Sequence, residues 1–182
     1  MMIYTIQEKV ITYPEQVLKE WQKGNKDWLP IDLTELVDCK SYFNKYFHEC
    51  YALTHYLDNG WYGTAFYALG DSATSNSLYD AGRVLLSQYI CPVKLSLLKG
   101  IRTGLTTGEP ELFLFKPDGS LLFVKVQKAG KHLSEAELIC LSNIKSVLEC
   151  EVEIVYVMEG SKTYKPKTYD IKVVQFPNPL GV

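Results

Sequence analysis

The sequence predicts an α/β fold of the α+β type, in which a mixed β-sheet is flanked by helices. Its 182 residues are 47% hydrophobic and 22% charged, a composition that can bury a core and argues against disorder. Apolar patterns in the second half follow the order strand, turn, strand, helix, strand, which is typical of an α/β core. We therefore expect a core at residues 101–182 and a mostly helical, aromatic-rich part at residues 1–100 that packs on it.

Helical signals dominate the first hundred residues. Pro14 suits a first helical turn, and Gly24 is expected to end that helix. Between them, Val17, Leu18 and Trp21 lie at helical spacing. The other elements expected here are a short strand at Ile3–Ile6, a helix at Cys39–Leu57, a hairpin or strand pair in the aromatic stretch 58–70, and a helix at Leu78–Tyr89 that Pro92 ends.

The second half has clearer element boundaries. Two strands, Glu111–Phe115 and Leu121–Gln127, flank a Pro-Asp-Gly turn and predict a hairpin. Ser134 is followed three residues later by Glu137, which is the pattern of a capping box, so a helix is expected to begin there. The remaining strands are expected at Val152–Val157 and Tyr169–Phe176.

Composition and charge narrow the classes of function. The net charge is −2 and the pI is about 5.9, so a nucleic-acid-binding role must rest on a local basic patch. No apolar run approaches the ~20 residues of a membrane span, and the first residues lack the pattern of a signal peptide. We expect no membrane partner and a cytoplasmic location, in a bacterial or host-cell cytosol.

The cysteines and histidines show no metal-binding pattern. An odd number of cysteines without CxxC spacing favours buried free thiols in a reducing compartment over a disulfide framework. His48 and His55 could share a helical face, whereas His132 stands alone. We expect no zinc site. The five cysteines are Cys39, Cys50, Cys91, Cys140 and Cys150.

About fifty residues, 108–157, carry an informative order of motifs. They contain GEPELFLF, then FVKVQKAGKHLSEAE, then a predicted helix and EVEIVYV. This order resembles the VRR-NUC branch of the PD-(D/E)XK nuclease superfamily, whose members typically show G-x-P-D, then F-V-E-V-K-x-P-x-D-x-L-S-x-x-Q, a helix and V-E-V. The resemblance implies a restriction-endonuclease-like mixed sheet. The positions in register are Gly108, Pro110, Phe123, Val124, Val126, Gly130, Leu133 and Ser134.

The resemblance also implies which positions would carry chemistry. In that superfamily, acidic residues on two strands hold a divalent ion that assists phosphodiester hydrolysis, and a nearby lysine acts on the nucleophile. Here Glu111 lies at the first acidic position, Lys125 replaces the second, and Gln127 replaces the lysine. We expect Lys125 to pair with Glu111 in place of the metal. No catalytic residue and no cofactor are therefore expected.

An active enzyme is the alternative, with metal ligands that have migrated to other carboxylates. Hard divalent ions prefer carboxylate oxygens. Glu135 and Glu137 could serve, although their simpler role is to complement the dipole of the helix that begins beside them. The candidate ligands for Mg²⁺ or Mn²⁺ are Glu109, Glu111 and Glu137, with Glu49, Asp80 and Glu135 as further carboxylates.

Two basic clusters are candidate binding surfaces. The first lies at the end of the second core strand, where the resemblance implies contact with a phosphate backbone. The second interleaves lysines with Tyr164 and Tyr169, and such rings can stack on unpaired bases. Its alternative is a solvated hairpin whose lysines protect a sheet edge. The first cluster is Lys125, Lys128, Lys131 and His132, and the second is Lys162, Lys165, Lys167 and Lys172.

Three functions are consistent with these patterns. The expected one is a catalytically silent nuclease-fold protein that binds nucleic acid, DNA rather than RNA, or a nucleic-acid-processing effector protein. By analogy with small accessory proteins of phages and mobile elements, it would inhibit a CRISPR RNA-guided nuclease (anti-CRISPR). The alternatives are an active metal-dependent endonuclease of repair, recombination or restriction, and a structural module without nucleic-acid contact. The 13 tyrosines would also suit a homodimer or another protein interface.

Overall fold

The computed structural model describes residues 2–30, 46–69, 77–101 and 108–173. The strands in these ranges are β1 at Met2–Tyr13, β2 at Tyr62–Thr64, β3 at Leu112–Phe115, β4 at Leu121–Lys128, β5 at Glu151–Glu159 and β6 at Thr168–Val173. The helices are α1 at Glu15–Lys23, α2 at Phe47–Asp58, α3 at Asp80–Tyr89, α4 at Pro92–Ile101 and α5 at Glu135–Leu148, with a 3-10 turn at Ser77–Tyr79.

The strands of the described residues form one mixed sheet in the order β2-β3-β4-β5-β1-β6. β2, β3 and β4 are antiparallel neighbours, and α5 then carries the chain to β5, which runs parallel to β4. β1 lies parallel to β5 on its other side, and β6 pairs antiparallel with β1. The predicted α+β class is confirmed. The order strand, turn, strand, helix, strand is also present, as β3, β4, α5 and β5.

Parallel pairing brings the C-terminal ends of three strands to one edge of the sheet. Lys128 at the end of β4 pairs with Val157 of β5, and Val157 pairs with Ile11 near the end of β1. The connection from β4 to α5 and the connection from β5 to β6 therefore leave the sheet at the same edge. Both predicted basic clusters contribute residues to these two connections.

Among the elements predicted for residues 1–100, β1 differs most from its prediction. The sequence predicts a strand only at Ile3–Ile6, but β1 spans Met2–Tyr13 and lies between β5 and β6. Glu8 interrupts its apolar pattern, and this carboxylate is buried against hydrogen-bond donors from Tyr164 and Tyr169. Because β1 and β2 come from the first hundred residues, the expected division at residue 100 does not coincide with a break in the sheet.

Other elements differ from expectation in smaller ways. Pro92 follows α3, but it is also the first residue of a further helix, α4. Its fixed φ and missing N–H suit a first helical turn. The aromatic stretch 58–70 forms only the short strand β2, which pairs with β3 and not within itself as a hairpin. The helix expected from Cys39 is described from Phe47, and residues 39–45 and 174–176 lie outside the described residues.

Two apolar layers cover the two faces of the sheet. α1 and α2 pack on one face, where Trp21 and Phe47 belong to the same buried cluster as Val124 of β4. α3, α4 and α5 pack on the other, where Leu98 is buried in one cluster with Phe123. Since neighbouring strand residues point to opposite faces, the alternation of Phe123 and Val124 anchors β4 in both layers. The polar end of β4 then falls at the sheet edge, beyond the core.

The described cysteines are free thiols, as the sequence predicts. Cys50, Cys140 and Cys150 are buried, Cys91 is exposed, and Cys39 lies outside the described residues. Burial raises the pKa of Cys50 and of Cys150 to about 12. These two thiols are therefore protonated near neutral pH and act as small apolar groups in the core.

No single helix in the described ranges is long and apolar enough to cross a membrane. α3 and α4 meet that test only when they are taken together, and the angle between them is 109°.

Candidate functional site

A cavity of about 420 Å³ opens at the polar end of β4. Four elements supply its walls: α2, the residue before β3, the end of β4 with the segment that follows it, and the first turn of α5. It brings together most of the candidate residues that the sequence predicts. Its lining consists of Glu49, Glu111, Lys125, Val126, Gln127, Lys128, Lys131, His132 and Glu137.

An ion pair between Lys125 and Glu111 lies in the wall of this cavity. Lys125 Nζ donates to Glu111 Oε1 at 2.7 Å, as the sequence predicts. The other carboxylate oxygen, Oε2, accepts the backbone N–H of Val126 at 2.6 Å. β3 begins at Leu112, which pairs with Val124 of β4. The N–H of Val126 therefore lies beyond the last backbone pair between β3 and β4. The Glu111 carboxylate accepts this N–H in place of a backbone carbonyl oxygen.

Further oxygen atoms surround the Lys125 ammonium. It lies 3.3 Å from the carbonyl oxygen of Glu109 and 3.7 Å from Glu137 Oε1. Only 9% of the Lys125 side chain is exposed. A buried ammonium of this kind is stabilised only if oxygens compensate its lost hydration, and two carboxylates and one carbonyl do so here.

Glu137 contacts Lys125 and also caps the N-terminus of α5. Its Oε2 accepts the backbone N–H of Ser134 at 2.8 Å, and its own N–H donates to Ser134 Oγ at 3.3 Å. This is the predicted capping box, and it is confirmed. Partial burial alone would raise the pKa of Glu137, but the hydrogen bonds from Ser134 and the charge of Lys125 outweigh it and lower the pKa.

Glu49 is a wall residue outside the segment that carries the resemblance. It projects from α2, and its Oε2 is buried with no hydrogen-bond partner among the described residues. Burial raises the pKa of Glu49, against the nearby charges of Lys128, Lys125 and Lys131. Burial likewise raises the pKa of Glu111, against the charge of Lys125. The sequence could not single out Glu49 among the upstream carboxylates, because no local pattern indicates that α2 lies against this edge of the sheet.

The carboxylates of this site do not fit a resident divalent ion. Both oxygens of Glu111 already accept hydrogen bonds, and the Glu109 carboxylate accepts the N–H of Leu69. In the described ranges, no group of three His, Cys, Asp or Glu side chains is arranged to hold a metal. A divalent ion about 4 Å from the Lys125 ammonium would meet a repulsion on the order of 8 kcal/mol at an effective dielectric near 20.

The remaining candidate ligands lie apart from this cluster. Glu135 is exposed in the first turn of α5, which is the helix-dipole position that the simpler interpretation predicts. Asp80 pairs with Arg83 at the start of α3. Neither residue lines the cavity.

Exposed basic residues border the cavity and the neighbouring connection. Lys128, Lys131 and His132 are exposed, and none of them forms an ion pair with a described residue. Gln127 lies beside them in the wall and is buried. Lys165 and Lys167 are exposed on the connection from β5 to β6, likewise without an ion pair in the described part of the chain. Their charges are available to an anionic ligand.

The two tyrosines of the second cluster belong to the fold and are not free stacking platforms. The ring of Tyr164 stacks on Tyr156 with 4.2 Å between centroids, and its hydroxyl donates to Glu8 at 2.7 Å. The Tyr169 hydroxyl also donates to Glu8 at 2.7 Å. Base stacking on these rings would require breaking those contacts, so the contribution of this cluster to binding must come from its lysines.

The chain matches no known family model, and no curated protein matches it in sequence. The resemblance to the nuclease superfamily therefore rests on the motif residues between Gly108 and Val157. Function has to be argued from the site itself.

Proposed function

We propose that this protein is a catalytically silent relative of the PD-(D/E)XK nucleases that acts by binding nucleic acid. The observation that supports the proposal is the Lys125–Glu111 ion pair, since the resemblance implies a divalent ion beside Glu111 and an ammonium lies there. An internal cation satisfies the acidic residue without supplying a Lewis acid or a metal-bound water. Such a site lacks the metal-bound water that the superfamily uses as its nucleophile.

The binding role is supported by the basic side chains at the mouth of the cavity. Lys128, Lys131 and His132 are exposed on the segment that follows β4, beside the degenerate site. The protein as a whole carries a charge of −2, so this local concentration of positive charge is not a consequence of composition. Lysines contact phosphate oxygens without reading base sequence. DNA is the favoured ligand, and an acidic surface on a nucleic-acid-processing protein would use the same charges.

An active endonuclease is the second candidate, and one observation favours it. Glu49 Oε2 is a buried oxygen without a partner in the described residues, so it is free to accept a ligand. A metal site would still need Glu111 to exchange Lys125 and the Val126 N–H for the ion. Calorimetry with Mg²⁺ and Mn²⁺, followed by incubation with supercoiled and single-stranded DNA, separates the two candidates. Metal binding together with cleavage would establish the enzyme.

The binding proposal is tested by the salt dependence of DNA affinity. Wild-type protein is titrated into fluorescently labelled DNA between about 50 and 200 mM salt, alongside Lys128→Glu combined with Lys131→Glu. We expect weaker binding and a flatter plot of log K against log salt for the double variant. Lys19→Glu combined with Lys23→Glu on α1 makes the same change in net charge and is the control. The absence of salt-dependent DNA binding by the wild type would instead indicate a structural or assembly module.

As a biological role we propose inhibition of a CRISPR RNA-guided nuclease. A small protein that occupies a nucleic-acid path without cutting would act by steric and electrostatic exclusion. The support is the size of the chain and the degenerate site. A cleavage assay with a purified RNA-guided effector tests the role, and undiminished cleavage at saturating protein would refute it for that effector.

A further inference from the structure

A buried carboxylate holds the connection between β5 and β6 in place. Glu8 lies in the middle of β1 and is 5% exposed. Its Oε2 accepts the Tyr164 hydroxyl at 2.7 Å and the Lys167 backbone N–H at 2.8 Å, while its Oε1 accepts the Tyr169 hydroxyl at 2.7 Å. The N–H of Glu8 donates to the carbonyl oxygen of Lys167 at 3.0 Å. One residue of β1 therefore fixes both ends of the segment that carries Lys165.

A second residue, Tyr156, connects this segment to the first basic cluster. Tyr156 of β5 donates its hydroxyl to the carbonyl oxygen of Lys131 at 3.0 Å. The ring of Tyr156 also stacks on Tyr164, with 4.2 Å between centroids. A single side chain thus contacts the backbone beside the cavity at its hydroxyl end and the β5–β6 connection through its ring. The two basic clusters, 30 or more positions apart in sequence, adjoin at one edge of the sheet.

We propose that the two clusters form one phosphate-binding surface, with Glu8 as its positioning residue. The surface consists of Lys128, Lys131, His132, Lys165 and Lys167. This inference rests on the proposed function and extends it: the ligand is a nucleic-acid backbone long enough to contact the cavity mouth and the β5–β6 connection together. The Glu8 carboxylate is stabilised in its buried position by three hydrogen-bond donors, two tyrosine hydroxyls and one backbone N–H.

Glu8 is assigned a positioning role and not a contact. Its side chain is covered by Tyr164 and Tyr169, so it cannot reach a ligand on the outside. Without it, the connection that carries Lys165 and Lys167 would lose the hydrogen bonds that fix its height above the sheet. The lysines would then contact phosphate only at the cost of ordering the segment on binding.

The experiment measures the affinity of labelled double-stranded DNA as a function of salt for four forms of the full chain. These are wild type, Lys128→Glu with Lys131→Glu, Lys165→Glu with Lys167→Glu, and Lys172→Glu. Lys172 pairs with Ile3 near the far end of β6, so it tests a lysine of the same sequence cluster away from the surface. We expect each double variant to lower the slope of log K against log salt by about 1.8, at about 0.9 per lost phosphate contact, and Lys172→Glu to leave it unchanged.

Distinct outcomes separate this inference from the proposed function. If Lys128→Glu with Lys131→Glu weakens binding while Lys165→Glu with Lys167→Glu behaves like Lys172→Glu, the joined surface is refuted and the proposed function stands. If wild type shows no salt-dependent DNA binding, both fail, and titration with an acidic polypeptide then identifies a protein surface as the partner.

The positioning role of Glu8 has its own readout. Tyr164→Phe keeps the ring stack and removes one hydrogen bond to Glu8, and Glu8→Gln removes the charge. In the wild-type background, we expect each substitution to reduce the slope of log K against log salt. In the background of Lys165→Glu with Lys167→Glu, we expect neither to reduce it further. An effect of equal size in both backgrounds would show that Glu8 acts only on general stability. Tyr164→Phe is the milder change and keeps the test valid if Glu8→Gln does not fold.

Discussion

The ammonium of Lys125 lies 2.7 Å from Glu111 Oε1, and the second oxygen of the same carboxylate accepts the N–H of Val126 at 2.6 Å. One carboxylate therefore satisfies a charged side chain and a backbone donor at the point where β3 and β4 separate. Partial burial raises the pKa of Glu111, while the charge of Lys125 and the hydrogen bonds that the carboxylate accepts oppose that shift and favour its ionised form.

Removing the ammonium should destabilise the fold. Lys125→Met leaves Glu111 as a partly buried carboxylate without its cation, and we expect a loss on the order of 3 kcal/mol in the free energy of unfolding. Urea denaturation followed by tryptophan fluorescence measures it. Lys125→Met combined with Glu111→Gln should recover much of the loss, because no uncompensated charge then remains.

Lys145 provides the matched control for that substitution. Its Nζ also lies 2.7 Å from a carboxylate, that of Glu151, but the Glu151 side chain is 73% exposed. Exposed ion pairs contribute about 0–1 kcal/mol, so Lys145→Met should have little effect. Equal losses for Lys125→Met and Lys145→Met would contradict the structural importance of the Lys125–Glu111 pair.

Replacing the Lys125 ammonium by a carboxylate should make the stability of the fold depend on a divalent metal ion. Lys125→Glu leaves Glu49, Glu111 and Glu137 facing one another around the cavity with no internal cation. We expect this variant to be destabilised without metal and to gain several degrees in Tm with Mn²⁺, because a bound ion stabilises the folded state. Thermal denaturation with and without Mn²⁺ measures the effect.

Lys128→Glu is the control for the metal prediction. It makes the same change in charge at an exposed position beside the same cavity. A Tm increase with Mn²⁺ that is as large for Lys128→Glu as for Lys125→Glu would show only that added acidic charge attracts ions. A Tm increase in wild type would show that the native carboxylates already bind metal.

Local patterns predicted the parts of the site that are close in sequence. The capping box of Ser134 and Glu137 follows from a local pattern over 3 residues, and the pair of Lys125 with Glu111, 14 residues apart, was implied by the resemblance to the nuclease superfamily. Glu8 could not be found in this way, because its partner Tyr164 is 156 residues away and a charged residue inside a strand pattern argues against a strand. Glu49 was weakly indicated for a similar reason: only the tertiary packing of α2 brings it to the end of β4.

A glycine next to the site gives a further prediction. Gly108 has a φ of +87°, and a Cβ added there would lie 2.7 Å from the Cα of Glu137. Gly108→Ala should therefore displace the first turn of α5 and with it the carboxylate that faces Lys125. We expect a loss of 2–4 kcal/mol in the free energy of unfolding, roughly the sum of a strained φ and an overpacked contact.

Gly119 separates the two contributions to that loss. It has the same φ of +87°, but a Cβ there would meet nothing within 4 Å. Gly119→Ala should cost only the strained conformation, about 1 kcal/mol. If the two variants were equally destabilised, the contact between Gly108 and the start of α5 would have no energetic role.

Acid should destabilise the protein through His48, which lies in the first turn of α2 beside Tyr13 and Phe47. Burial, with a smaller effect of the Lys128 charge, lowers the pKa of His48 to about 4 from its ordinary value of 6.5. The unfolded chain therefore binds a proton at higher pH than the folded chain. The stability that His48 contributes is fully present above pH 6.5 and is lost as the pH falls toward 4.

Comparison of wild type with His48→Gln isolates this contribution from the other titrating groups. Glu49 and Glu111 have raised pKa values, so their contributions change with pH in the opposite direction, and they are present in both proteins. Between pH 7 and 5 we expect wild type to lose about 1 kcal/mol more than His48→Gln, after allowance for solvent screening of a partly exposed ring. Urea denaturation at both pH values measures the difference. Lys128→Ala should make this difference smaller, because the pKa of His48 would then rise. Equal pH dependence in wild type and His48→Gln would show that the imidazole titrates normally in the folded protein.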